Sequence, residues 1–172
     1  MAEVFLIQPA PVTLKEIQQV VTEHRRIELS DEARRLIQQC RDYLDQKVAA
    51  ADEPLYGINT GFGALYDRSV SPENLEKLQK NLVMSHACGT GEVVPDDIVR
   101  LMLLLKIRSL AYGYSGVQIE TVQRLIDFYN EDVLPVVYRY GSLGASGDLA
   151  PLAHLCLPLL GMGEIRYKEK IY

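Results

Sequence analysis

The chain of 172 residues is long enough for one domain with a real core, and a hydrophobic share of 48% gives that core its side chains. A net charge of -5 and a pI near 5.2 give no electrostatic case for nucleic acid or for an anionic membrane surface as partner. The greasy run Ile98 to Leu105, itself interrupted by Arg100, is far short of the roughly 20 residues that span a bilayer. Met1 to Leu6 has neither a basic n-region nor a long apolar core, so no signal peptide is expected. Cys40, Cys88 and Cys156 are widely spaced and form no C-x-x-C pair; they read as reduced thiols of a cytoplasmic protein.

In chain order, Thr13-Leu14-Lys15-Glu16 is a capping box that predicts a first helix running toward Arg26. Ser30 opens a second, in which Ala33, Leu36, Ile37, Cys40, Leu44 and Val48 recur at helical spacing up to the small, polar Ala51-Asp52-Glu53-Pro54. Tyr56 to Gly63 breaks the periodicity, and its glycines predict a loop whose backbone takes unusual φ values or comes close to something else. Ser71 as cap and Pro72 at the first helical position predict a third helix, with Leu75, Leu78 and Leu82 as its stripe and His86 extending it. From Asp96 or Asp97 to about Tyr112 the sequence is apolar nearly all round, as in a helix buried among helices. That surface is expected to be covered by self-association or a partner. Gln118 to Asp132 is amphipathic through Val122, Leu125, Ile126 and Tyr129. A glycine-rich stretch follows, then an apolar helix from Asp148 in which Pro158 predicts a kink or an early stop. No alternating strand pattern is longer than Val133 to Tyr140, and there is no internal repeat or flexible linker. The expected fold is an all-α helical bundle over residues 1–172 with no clear internal boundary.

The glycine-rich stretch Gly141-Ser142-Leu143-Gly144-Ala145-Ser146-Gly147-Asp148-Leu149-Ala150-Pro151-Leu152 carries unusual chemistry. Gly147 has no Cβ, so its amide nitrogen can reach the carbonyl carbon of Ala145, and Ser146 can then lose its hydroxyl as water. The product is a methylidene-imidazolone ring, a carbon electrophile of a kind no standard side chain provides. Taken alone, such small residues before an apolar segment mean a tight turn opening a helix. Ser146 does not fit a hydrolase elbow, which needs glycine two residues to either side, because position 148 is aspartate. Gly57 to Gly63 is no phosphate loop, since no Lys-Ser/Thr pair follows its glycines. By themselves Tyr56 reads as a packing residue and His86 as a satisfied core histidine. His24 and His154 have no partner pattern, and no His/Cys/Asp spacing suggests a metal.

The twelve-residue stretch as a whole resembles the signature of the aromatic amino acid ammonia-lyases and aminomutases, the histidine and phenylalanine ammonia-lyase family. Tyr56-Gly57-Ile58-Asn59-Thr60-Gly61-Phe62-Gly63 looks like the segment bearing that family's catalytic tyrosine. Asn81-Leu82-Val83-Met84-Ser85-His86-Ala87 falls between the two in the family's order. The resemblance runs from about Leu14 to the end of the chain. Whole members are roughly three times as long, so the chain is expected to be the N-terminal third of the fold.

The resemblance implies elimination of ammonia from L-histidine to give urocanate. Tyr56 would be the base that removes the β-proton, which needs positive potential from helix N-termini such as the one opening at Asp148. Ala145, Ser146 and Gly147 would form 4-methylidene-imidazol-5-one autocatalytically, with no external cofactor. Its methylidene carbon would take the substrate's amino group or ring. Ser85, His86 and Gly63 would bind substrate. Ser-His at 85–86 is similar to the histidine-type members, where tyrosine-specific members resemble His-Leu and phenylalanine-specific ones Phe-Leu. The family completes each site with later residues and neighbouring subunits, which implies a homo-oligomer, a homotetramer in the family, or a complementing chain, and little turnover without it. A tyrosine or phenylalanine lyase, an aminomutase, and a non-catalytic helical module acting by association stay open as alternatives.

Overall fold

The computed structural model describes residues 4–50 and 54–172. In chain order the elements are β1 (Phe5–Ile7), α1 (Leu14–Thr22), β2 (Ile27–Leu29), α2 (Asp31–Ala50), α3 (Leu75–His86), β3 (Thr90–Val93) and α4 (Asp96–Ala111). Then come α5 (Ile119–Asn130), β4 (Leu134–Pro135), β5 (Tyr138–Tyr140), α6 (Leu149–Cys156), β6 (Ile165–Tyr167) and β7 (Lys170–Ile171). Helix dominates, as the sequence predicts, and the strands are short additions. They are gathered into two compact units, one of residues 4–45, 94–134 and 165–172, the other of residues 46–50, 54–93 and 135–164. Among the described residues no helix is long and apolar enough to cross a membrane.

In the first unit the capping box forms in full. Thr13 Oγ1 accepts from Glu16 N at 3.2 Å, and Glu16 Oε2 accepts from Thr13 Oγ1 at 2.6 Å and from Thr13 N at 2.8 Å; these last two bonds, the hydroxyl's first, hold the Glu16 carboxyl below its ordinary pKa. The helix ends at Thr22, short of Arg26, because the chain reverses through His24 at φ 49°. It then runs as β2, parallel to β1 in the register Phe5↔Ile27, Leu6↔Glu28, Ile7↔Leu29. Ile27 and Leu29 are buried and Glu28 is exposed, the period-2 alternation of a half-buried strand. Ser30 caps α2 by accepting from Ala33 N, and the helix runs to Ala50; residues 51–53 of its expected stop lie outside the described residues.

Helix α4 buries Val99, Leu103, Leu104, Ile107, Leu110 and Ala111 and packs on α5, whose Val122, Leu125, Ile126 and Tyr129 are also buried. Two arginines share that burial because each is paired: Arg100 with Asp132, and Arg108 with the carbonyl of Ala10 at 2.8 Å. The helix is less uniformly covered than its composition suggests, since Ile98 and Leu105 are each 45% exposed along one edge.

In the second unit Ser71 does not cap a helix backbone. Its Oγ accepts from Asn74 Nδ2, Pro72–Asn74 is a 3-10 turn, and α3 starts only at Leu75. No residue of α3 is fully buried in the chain; its leucine stripe is half-buried. Strands β3 and β5 pair antiparallel, with Thr90 opposite Tyr140 and Val93 opposite Tyr138. Pro158 imposes the early stop expected of it: α6 ends at Cys156, tightens into a 3-10 turn over Leu157–Leu160, and closes at Gly161 in the left-handed region.

His154 of α6 is a structural residue that the sequence does not single out. It is 8% exposed, its Nε2 accepts from Gly89 N at 2.9 Å, and its ring stands edge-on to Tyr138 at 5.2 Å. A Cβ on residue 89 would lie 2.8 Å from that nitrogen, so glycine permits the approach. Burial pushes the His154 pKa below its ordinary 6.5. The folded chain therefore binds this proton more weakly than the unfolded chain. The stability it contributes is complete above pH 6.5 and is lost as pH falls through the depressed folded value. Thermal melts at about pH 7.5 and about pH 5.5 should show a lower Tm at the acid value, a difference that His154→Gln shrinks. Equal shrinkage-free differences in both proteins would show that other groups set it.

Candidate active site

The segment bearing Tyr56 is a turn held by its own polar groups. Leu55 N donates to Asn59 Oδ1 at 2.6 Å, Ile58 N and Asn59 N donate to the Leu55 carbonyl, and Gly57 N donates to Thr60 Oγ1 at 3.1 Å. Thr60 is fully buried and bridges to Ser69, and Val70 N donates to the Asn59 carbonyl, so the turn's far end is tied as well. Gly57 sits at φ 70°, and a Cβ there would lie 2.9 Å from Phe62 Cε1; the turn requires glycine on both counts.

This turn presents the Tyr56 ring outward, 63% exposed. Phe62 lies between it and α3: its ring centroid is 5.8 Å from that of Tyr56 and 5.4 Å from that of His86, the latter contact edge-on. Gly63 N donates to the Tyr56 hydroxyl oxygen at 3.4 Å. Tyr56, Gly63 and His86 are thus brought together around Phe62, a residue that sequence reasoning did not select. Its only signal was an aromatic side chain between two glycines of the motif.

At the end of α3, Ser85 Oγ donates to the Leu82 carbonyl at 3.0 Å, and His86 Nδ1 lies 2.7 Å from the same carbonyl. A carbonyl only accepts, so Nδ1 carries the hydrogen and Nε2 of the neutral ring is left as an acceptor. Ser85 Oγ is also 3.2 Å from Nδ1, so the pair acts as one polar unit.

Ala145, Ser146 and Gly147 lie in an exposed loop. Ser142 Oγ donates to the Gly147 carbonyl, closing the loop around the tripeptide. Gly147 is at φ 69°, and no atom lies within 4 Å of where a Cβ would stand. Asp148 precedes α6 without a side-chain cap bond, so its carboxylate takes none of the first-turn N–H groups. No hydrogen bond or ring contact joins Ser146 to the Tyr56–His86 cluster among the described residues. No group of His, Cys, Asp and Glu among them is arranged to hold a metal ion.

The profile of the family described as "Aromatic amino acid lyase" matches residues 12–172. A histidine ammonia-lyase of Legionella pneumophila (strain Corby) is 47% identical over 171 residues, 99% of this chain and 34% of that protein. One from Vibrio cholerae is 47% identical over 166 residues, 96% of this chain and 32% of that protein. Among solved structures, the ergothioneine-degrading enzyme ergothionase of Treponema denticola superposes with a TM-score of 0.93 at 26% identity, covering 99% of this chain and 34% of that one. The histidine ammonia-lyase of Trypanosoma cruzi gives 0.85 at 34% identity, covering 99% and 33%. The chain spans about a third of the length of the relatives it matches.

Proposed function

The chain belongs to the aromatic amino acid lyase family, and from that membership we propose that it carries the electrophile-forming and proton-abstracting residues of a histidine ammonia-lyase. The observation that carries the reading is the cluster in which Phe62 holds Tyr56 and His86 in ring contact while Gly63 N–H fixes the phenol oxygen.

Ala145, Ser146 and Gly147 are the residues that would supply 4-methylidene-imidazol-5-one. Their geometry fits it: the Gly147 φ is one that glycine alone adopts freely, and the space beside it is clear. When formed, the group provides a methylidene carbon that takes the substrate's amino group or ring and makes ammonia a better leaving group, with no external cofactor. Tyr56 takes the β-proton. Gly63 leaves open space beside it, since nothing lies within 4 Å of where its Cβ would stand. His86 Nε2, held as an acceptor by the Nδ1 bond, receives the imidazole N–H of L-histidine.

Elimination needs a dry site, yet Tyr56 is largely exposed and α3 buries no residue. The reading therefore includes association, with further copies in a homotetramer or with a complementing chain, to cover this face and to provide a cationic residue for the substrate carboxylate.

Substrate preference tests the histidine assignment. A phenyl ring would leave His86 Nε2 buried and unpaired at a cost of about 1–3 kcal/mol. The assembled enzyme should favour histidine, and Ser85→Phe with His86→Leu should move the preference toward phenylalanine. Faster turnover of phenylalanine or tyrosine by the unsubstituted enzyme would remove the histidine assignment and leave the lyase. A β-amino acid product would replace the lyase by an aminomutase.

A further inference from the structure

The Tyr56 turn pairs its own amides, but two of its carbonyls face away from it. Those of Gly57 and Ile58 both accept from a single nitrogen, Gln79 Nε2, at 3.0 and 2.8 Å. Successive carbonyls of an extended strand point to opposite sides. Here the chain is a turn, with Ile58 N and Asn59 N both donating to the Leu55 carbonyl, and both carbonyls reach one donor. Gln79 belongs to α3, seven residues before His86, and these are the only hydrogen bonds between α3 and the Tyr56 turn among the described residues. An amide nitrogen has two hydrogens in a fixed plane, so engaging both fixes the turn's direction as well as its distance.

We propose that Gln79 is a positioning residue that locks the turn carrying Tyr56 to the helix carrying Ser85 and His86. The base and the substrate-binding pair then move as one piece, and the Phe62 ring stays wedged between them. Gln79 itself need not touch substrate. The functional side of this inference rests on reading Tyr56 as the base; the positional side does not.

Two variants separate donor chemistry from bulk. Gln79→Met keeps the length and removes both donors, while Gln79→Lys keeps a nitrogen able to donate to both carbonyls. In the 172-residue chain, amide exchange across residues 55–60 should quicken about tenfold in Gln79→Met, since these carbonyls hold the turn closed against local opening. The nuclear Overhauser contact between the Tyr56 and Phe62 rings should weaken with it. Gln79→Lys should restore both. In the assembled enzyme Gln79→Met should lower kcat by roughly 10²-fold with KM nearly unchanged, as for a misplaced reacting group. Gln79→Lys should recover most of that loss.

Unchanged exchange and ring contact in a folded Gln79→Met chain would overturn the proposal. If that variant unfolds, Gln79→Lys decides alone: a folded Lys chain without the ring contact overturns it, and so does the unfolding of both. Full turnover by Tyr56→Phe would remove the base reading, while the exchange and ring-contact measurements would still decide whether Gln79 positions the turn.

Discussion

The unsubstituted chain is expected to be lighter than its sequence mass by two waters, and a Ser146→Ala chain is not. Closure joins Gly147 N to the carbonyl carbon of Ala145, whose oxygen leaves as the first water. The second is the Ser146 hydroxyl together with the hydrogen on its Cα, and its departure creates the methylidene carbon. Alanine at 146 has no hydroxyl, so at most one water can leave and no methylidene forms. The near-UV absorption of the conjugated ring should vanish with it. Helical content should not change, because Ser146 is exposed and lies outside α6. Intact-protein mass and far-UV circular dichroism read both outcomes from one preparation. An unsubstituted chain of unaltered mass, co-expressed with whatever completes it, would remove the proposed group and with it the chemistry assigned to Ala145, Ser146 and Gly147.

Loss of the Tyr56 hydroxyl is the other large effect. Tyr56→Phe keeps the ring that meets Phe62 at 5.8 Å and removes only the oxygen to which Gly63 N donates. Binding of the amino acid should persist while turnover falls by roughly 10²-fold or more, the usual loss for a positioned general base. The turn itself is held by Asn59, Thr60 and Gln79, none of which bonds to the phenol, so its geometry should survive. Near-normal turnover would mean that another group takes the β-proton.

Some of the molecule was legible in the sequence because its causes are local. Thr13 and Glu16 meet three residues apart, and the cap forms as the capping box predicts. Pro158 stops α6 through its own missing N–H and ring. The apolar periodicities of α2 and α5, and the nearly all-round apolar stretch of α4, predicted those helices to within a few residues. Other boundaries moved for reasons outside the local pattern. The first helix ends early because Ile27 and Leu29 are drawn into a parallel ladder with Phe5 to Ile7, and a three-residue strand is too short to show its period.

The candidate site divides in the same way. Tyr56, Ser85, His86 and the Ala145-Ser146-Gly147 segment could be proposed from the sequence because each lies in a string that resembles the family's, and of these only the Ala-Ser-Gly tripeptide implies its chemistry by residue type. Phe62 as the ring between Tyr56 and His86, Gln79 as the tie to Gly57 and Ile58, and His154 as the acceptor of Gly89 N could not be. Gln79 and Gly57 are 22 residues apart, and Gly89 and His154 are 65 apart. A glutamine or histidine carries the same hydrogen-bonding groups wherever it stands, and only the folded chain decides which carbonyl or amide comes within 3 Å of them.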